Sequence, residues 1–302
     1  MSLQNFIPLP TDLCRLILSY LGKCDEERDR LRSNPRYIKS IEQVFLTYNL
    51  CMSVVQEDGF LLKHCPMVFM TPELYEQAFN NTIYVLKYEN LSHFQTYKMW
   101  KKAVKQDGFL LAYCHQMFLT PELYALAFEN TVYVLKYKNL RRFQTYKMWK
   151  KAVKQDGFLL EYCHQMFLTP ELYALAFENT VYVLKYKNLS HFQTPQMWLK
   201  AVKQNGYLLE YCHQMFLTPE LYALAFENTI YVLKYKNLSH FQTPQMWLKA
   251  VKEDGFLLEY CPKNLLNQQI IETAINQNNS VLMYLPLNPR NKTWAEVAAR
   301  NP

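Results

Sequence analysis

Glycine is scarce in this chain, with only 6 residues in 302, and the 14 prolines are few enough to track one by one. Both residue types recur at fixed places, so no Gly/Ser-rich or proline-rich linker divides the sequence, and one continuous folded body is expected. Long apolar runs are missing as well. No stretch approaches the ~20 apolar residues that a bilayer-spanning helix needs. The apolar opening up to Leu21 is broken by Asp12 and Arg15, and it has neither the basic leader nor the small-residue cleavage site of a signal peptide. These absences predict that the protein contacts no membrane and is cytosolic or nuclear. Intrinsic disorder is excluded by the opposite property, because 50% of the residues are apolar and 15% aromatic.

Five of the 8 cysteines, Cys65, Cys114, Cys163, Cys212 and Cys261, recur at one interval. That regularity points to a repeated packing position and to reduced thiols, not to a disulfide framework. The net charge of +7 is also local: residues 100–148 carry 8 basic and 3 acidic residues. There Arg141 and Arg142 replace the Ser-His of other copies, so the basicity is a patch and not a stripe.

The interval is 49 residues, marked by Asp58-Gly59, Asp107-Gly108, Asp156-Gly157, Asn205-Gly206 and Asp254-Gly255. Segments 149–197 and 198–246 differ at only four positions, so adjacent copies should share one conformation and stack by one operation. A finer period lies inside: Thr47, Thr71, Thr96, Thr120, Thr145, Thr169, Thr194, Thr218 and Thr243 alternate at 24 and 25 residues. Superposing the halves sets Trp100 on Tyr124, Ala103 on Ala127, Leu111 on Leu135 and Tyr113 on Tyr137.

Each threonine is placed to cap a helix, several before a proline whose missing N–H costs nothing in a first turn. Leu123, Tyr124, Ala127 and Phe128 then form one apolar stripe, as do Met99, Trp100, Ala103 and Val104, with Lys101, Lys102 and Lys105 facing water. The Asp-Gly pair is expected to end the helix through a left-handed glycine. A second short helix is expected over Leu110, Leu111, Cys114, Met117 and Phe118. Val132-Tyr133-Val134-Leu135 has strand-like composition, but its alignment with Phe109–Leu111 predicts helix. Helices of about ten residues are marginal alone and must bury their stripes on neighbours. The expected fold is all-α: an α-solenoid of helix-turn-helix half-repeats. Its units are 49 residues long, and a drifted copy runs over Ile271–Tyr284.

The pattern W-x-x-A-V-x-Q-D/N-G-x-L-L-x-Y resembles a tandem-repeat family of unknown function found in intracellular bacteria of amoebae and in giant viruses. That resemblance assigns no catalytic residue, and it leaves open action as an effector inside a host cell. The N-terminal Leu9-Pro10-Thr11-Asp12-Leu13-Cys14-Arg15-Leu16-Ile17-Leu18-Ser19-Tyr20-Leu21 resembles the first helix of an F-box. It implies docking of an Skp1-type adaptor of a cullin ubiquitin ligase, with the repeats selecting a substrate. Leu9, Pro10, Leu13, Leu16, Ile17, Tyr20 and Leu21 would then fill a partner's groove. Alternatively, the same residues cap the solenoid. After Leu21 the charged run Asp25–Arg30 departs from the F-box pattern. The resulting organisation is an F-box-like or capping segment over 1–46, a repeat solenoid over 47–284 and a C-terminal cap and tail over 285–302.

Cys114-His115, Cys163-His164 and Cys212-His213 invite a thiolate–imidazole reading, yet neighbours on a helix point about 100° apart. Copies two helical layers away lie on the order of 20 Å apart and cannot share a zinc with its ~2 Å bonds. His93, His191 and His240 read as surface-turn residues, so no metal and no cofactor are expected. An active site gathers different groups at one point, whereas repeats present the same groups in parallel rows, and no enzyme is expected. Such rows suit a large partner. Lys136 and Lys138 recur as Lys185, Lys187, Lys234 and Lys236, and Glu122 and Glu129 recur as Glu171, Glu178, Glu220 and Glu227. Most tyrosines are expected in the core and most lysines on a solvated face. The leading expectation is a protein-binding repeat protein whose target the sequence leaves unknown. The alternatives are nucleic-acid binding through Lys136, Lys138, Arg141 and Arg142, disfavoured by the acidic rows, and a structural scaffold.

Overall fold

The computed structural model describes residues 11–284, with side chains over residues 19–283. No strand occurs among the described residues, and the architecture is an all-α solenoid of 49-residue units. The chain divides after Gln144 into two compact units. The first holds α1 (Thr11–Ser33), α2 (Tyr48–Glu57), α3 (Pro72–Asn81), α4 (Tyr97–Gln106) and α5 (Pro121–Asn130). The second holds α6 (Tyr146–Gln155), α7 (Pro170–Asn179), α8 (Pro195–Gln204), α9 (Pro219–Asn228), α10 (Pro244–Glu253) and α11 (Gln268–Gln277).

The threonines do what their spacing predicts. Thr96 is extended, at φ −126° and ψ 156°, and its hydroxyl accepts the N–H of Met99 at 3.3 Å. Thr120 does the same for Leu123 at 3.1 Å. Trp100, Ala103 and Val104 of α4 and Leu123, Tyr124 and Ala127 of α5 are fully buried. Each large apolar side chain so buried contributes about 1.5–3 kcal/mol, which is how a ten-residue helix persists.

The connections depart from expectation in kind. Each repeat α-helix leads not into a second α-helix but into 3₁₀ segments, such as Gly108–Tyr113 and Gln116–Phe118 after α4, and Val132–Lys136 and Lys138–Phe143 after α5. The strand-like Val132–Leu135 is thus helical, in the tighter form used for short pieces. No residue takes a positive φ among those described, which corrects the left-handed glycine. Asp107, extended at φ −141° and ψ 98°, ends α4 by donating its N–H to Ala103. Its carboxylate then accepts the N–H of Phe109 and starts the next segment.

Gly108 is required for a different reason. A Cβ there would lie 2.6 Å from the Ala127 carbonyl oxygen of α5. Its N–H donates to Oδ1 of Asn130 at 2.8 Å, while Nδ2 of Asn130 donates to the carbonyls of Lys105 and Gln106. One amide therefore ties the end of α4 to the end of α5. Asn81, Asn179 and Asn228 repeat the tie, and Gln277 makes it to Gly255 in the drifted last copy. The α-helices accordingly pack in pairs: α2 with α3 and α4 with α5 in the first unit, and α6 with α7, α8 with α9 and α10 with α11 in the second. The 3₁₀ segments touch one another in succession within each unit and form the layer that joins the pairs.

Candidate interaction surfaces

The F-box-like residues fall on α1 only in part. Leu9 and Pro10 lie outside the described residues, as do the side chains of Leu13, Leu16 and Ile17, whose backbone belongs to α1. The charged run does not end the helix: Arg28–Asp25, Arg30–Glu27 and Arg32–Asp29 pair one turn apart, so α1 continues to Ser33. In this later half Cys24, Glu27 and Leu31 are buried. The Glu27 carboxylate accepts from the Tyr37 hydroxyl at 2.7 Å and from Arg30 at 2.8 Å. Tyr20 and Leu21, in contrast, are 45% and 50% exposed. The Tyr20 ring lies 5.8 Å from that of Phe45, which Lys23 also covers.

Lys136, Lys138, Arg141 and Arg142 come together on two touching 3₁₀ segments at the end of the first unit. They are not simply solvated: the Lys136 ammonium lies 5.1 Å from the Tyr133 ring centre, and the Arg142 guanidinium 4.8 Å from that of Phe143. Glu122 of the acidic row lies on α5 and has its own partners. Lys101 of α4 bonds it at 2.7 Å and the Tyr97 hydroxyl at 3.1 Å, and this bonding, from Lys101 first, holds the carboxyl below its ordinary range. Glu171 repeats the arrangement with Lys150 and Tyr146.

Tyrosines split by position, which composition could not reveal. Tyr75, Tyr124, Tyr173 and Tyr222 are fully buried, whereas Tyr113, Tyr182, Tyr207 and Tyr231 are between 36% and 48% exposed. Tyr113, Tyr182 and Tyr231 flank lysines. Lys87 lies 5.1 Å from the Tyr84 ring centre and 4.6 Å from that of Tyr113, and Lys185 and Lys234 sit likewise between Tyr182 and Tyr211 and between Tyr231 and Tyr260.

Beside each lysine sandwich of this kind at Tyr113 and Tyr211 lies a pocket. The one in the first unit has a volume of about 360 Å³ and is walled by Leu86, Ser92, Gln95, Tyr113, Cys114 and His115, among others. The one in the second unit, of about 250 Å³, uses the equivalent Leu184, Ser190, Gln193, Tyr211, Cys212 and His213. The signal was present in the sequence as the recurring Cys-His-Gln. Its meaning is architectural: Nδ1 of His115 accepts the N–H of Met117 and caps the segment Gln116–Phe118. The Cys114 thiol points at the His115 carbonyl, and burial pushes Cys114, Cys163, Cys212 and Cys261 up to about 12. Such thiols are poor nucleophiles at neutral pH. Cys65 and Cys114 are buried and the later three half-buried.

Residues 244–289 match the domain of unknown function DUF4116. The matched segment is 46 residues long, nearly one 49-residue unit, and takes in α10, α11 and the 3₁₀ segments Gly255–Tyr260 and Asn279–Tyr284. No curated protein and no solved structure matches the chain. The rings of His93, His191 and His240 lie about 4 Å from those of the adjoining Phe94, Phe192 and Phe241, tilted by 42–44°. No described helix is long and apolar enough to cross a membrane.

Proposed function

We propose that this chain is a non-enzymatic protein-binding solenoid, in which the F-box-like start of α1 docks an Skp1-type adaptor of a cullin ubiquitin ligase and the repeats hold a target protein. The observation that carries the reading is the division of labour along α1. Among the described side chains of α1, Cys24, Glu27 and Leu31 are buried against the rest of the chain, while Tyr20 and Leu21 keep about half of their surface exposed. An exposed apolar strip on a helix is the form that docks in a partner's groove. Parallel rows of identical groups further along the chain support binding in place of catalysis.

The test is recovery of Skp1 from eukaryotic lysate by the intact protein, by Leu13→Asp/Ile17→Asp and by Tyr20→Asp/Leu21→Asp. Retention by the first and loss by both variants, with unchanged circular dichroism, supports the reading. Absence of Skp1, or equal retention by all three, overturns it. Action in the cytosol or nucleus, including that of a host cell, belongs to the same proposal. A nucleic-acid role through Lys136, Lys138, Arg141 and Arg142 needs rings free to stack on bases. Lys87, Lys185 and Lys234 already occupy tyrosine faces, which weighs against it. Salt-sensitive gel-shift binding would restore that role, and failure of both assays leaves a structural scaffold.

A further inference from the structure

The two pockets beside Tyr113 and Tyr211 are built from the same residue types at equivalent positions, except for two substitutions in their walls. Glu89 of the first becomes Lys187 in the second, and Ala112 becomes Glu210. The first pocket measures about 360 Å³ against 250 Å³ and has one carboxylate and no ammonium in its lining, whereas the second has one of each. Glu89 is exposed, and among the described residues no ion pair or hydrogen bond engages its side chain. A pocket that mixes apolar Leu86 and Ala112 with polar acceptors, and carries one unpaired acid at its edge, matches a long side chain with an apolar stem and a cationic head.

We propose that the first-unit pocket takes a lysine or arginine side chain of a partner protein, and that the second-unit pocket turns the same side chain away. Leu86 and Ala112 line the space for the stem, the Glu89 carboxylate receives the charged head, and Ser92 and Gln116 offer further acceptors. In the second pocket Lys187 sets a like charge where Glu89 stands in the first, offsetting the carboxylate that Glu210 brings, and the longer Glu210 side chain takes up space that Ala112 leaves open. The lysine over the shared tyrosine, Lys87 in one case and Lys185 in the other, is common to both pockets and drops out of the comparison. Selectivity between the copies is thus a difference made by two side chains, one attractive and one repulsive. The inference rests on the reading that the repeats bind a protein, and it names the chemistry of one contact.

The experiment titrates the isotopically labelled full chain with the amidated, acetylated peptides Gly-Arg-Gly and Gly-Glu-Gly and follows the amide resonances of Tyr113–Gln116 and Tyr211–Gln214. The arginine peptide should shift the first set at a concentration about tenfold lower than the acidic peptide. Glu89→Lys should abolish that response, and Lys187→Glu combined with Glu210→Ala should transfer it to the second set. An equal response to both peptides, no response in Tyr113–Gln116, or an unchanged response in Glu89→Lys overturns the proposal. The altered residues are exposed, and the same spectra report whether each variant is folded. Skp1 retention is scored separately through α1: retention without an arginine response sinks the pocket alone, and an arginine response without retention sinks the adaptor reading alone.

Discussion

The indole N–H of Trp100 donates to Oε1 of Gln95 at 3.1 Å, and Nε2 of the same Gln95 donates to the Leu86 carbonyl at 3.0 Å. Both side chains are buried, so the amide satisfies one donor and one acceptor that water cannot reach. Gln193 with Trp198 and Gln242 with Trp247 repeat it. In the first copy the corresponding residues are Leu46 and Cys51, both buried. Where the indole is gone, the amide is gone too.

Gln95→Leu should therefore cost more than its change in polarity suggests, about 1–3 kcal/mol for the orphaned indole N–H. Trp100→Phe added to it should recover part of that cost. Hydrogen exchange of the α4 amides is the suitable readout, because repeats unfold locally. Equal protection in Gln95→Leu and the parent would show that the bond contributes nothing.

Glycines at different places should respond with opposite signs. Gly108→Ala forces a Cβ against the α5 carbonyl and should destabilise by about 1–3 kcal/mol. Gly22→Ala meets nothing within 4 Å and lies inside α1, where alanine should stabilise by about 0.5–1 kcal/mol. Thermal melts of the two variants decide it. Asn130→Ala should resemble Gly108→Ala, since it removes all three bonds of the tie.

Burial, helped by Lys63 and Lys39, pushes His64 below its ordinary value of 6.5, and its Nε2 has no hydrogen-bond partner. The folded chain thus binds this proton less readily than the unfolded chain. The resulting stability is complete above about pH 6.5 and is lost as pH falls through the lowered folded value. Melting temperature should drop from about pH 7.5 to pH 5. In His64→Tyr, which installs the residue found at the equivalent Tyr113, the drop should shrink.

The Cys114, Cys163 and Cys212 thiols, held at about 12, should alkylate with iodoacetamide on the order of a thousandfold more slowly at neutral pH than an ordinary cysteine near ~8.5. Mass spectrometry of the native and urea-unfolded protein checks this. Fast labelling of the native chain would return the Cys-His pairs to consideration as chemistry.

Much of the architecture is written in local sequence. A threonine hydroxyl reaches the N–H three residues on wherever the backbone enters a helix, so the nine threonines report nine helix starts without reference to anything distant. The apolar stripes of α4 and α5 follow from the same short-range geometry. The Asp-Gly turn misleads for a related reason. Its glycine is locally compatible with a left-handed cap, and only the neighbouring α5 carbonyl shows that space, not dihedral freedom, selects it. The candidate surfaces were legible in part, since the recurrence of Lys136 and Lys138 was visible. That Lys101 would spend itself on Glu122, while Lys87 settled between two tyrosines, was not.

By itself the sequence determined the repeat length, the helix starts, the buried stripe and the identity of neighbouring copies, because each depends on contacts within a few residues or on translation of one pattern. Tertiary structure alone decided that Tyr124 is core while Tyr113 is surface, that Tyr20 and Leu21 are left half-exposed, and that two equivalent pockets differ in charge. Those outcomes depend on which side chains from segments 20 or more residues apart compete for the same volume, and spacing along one segment carries no record of that competition.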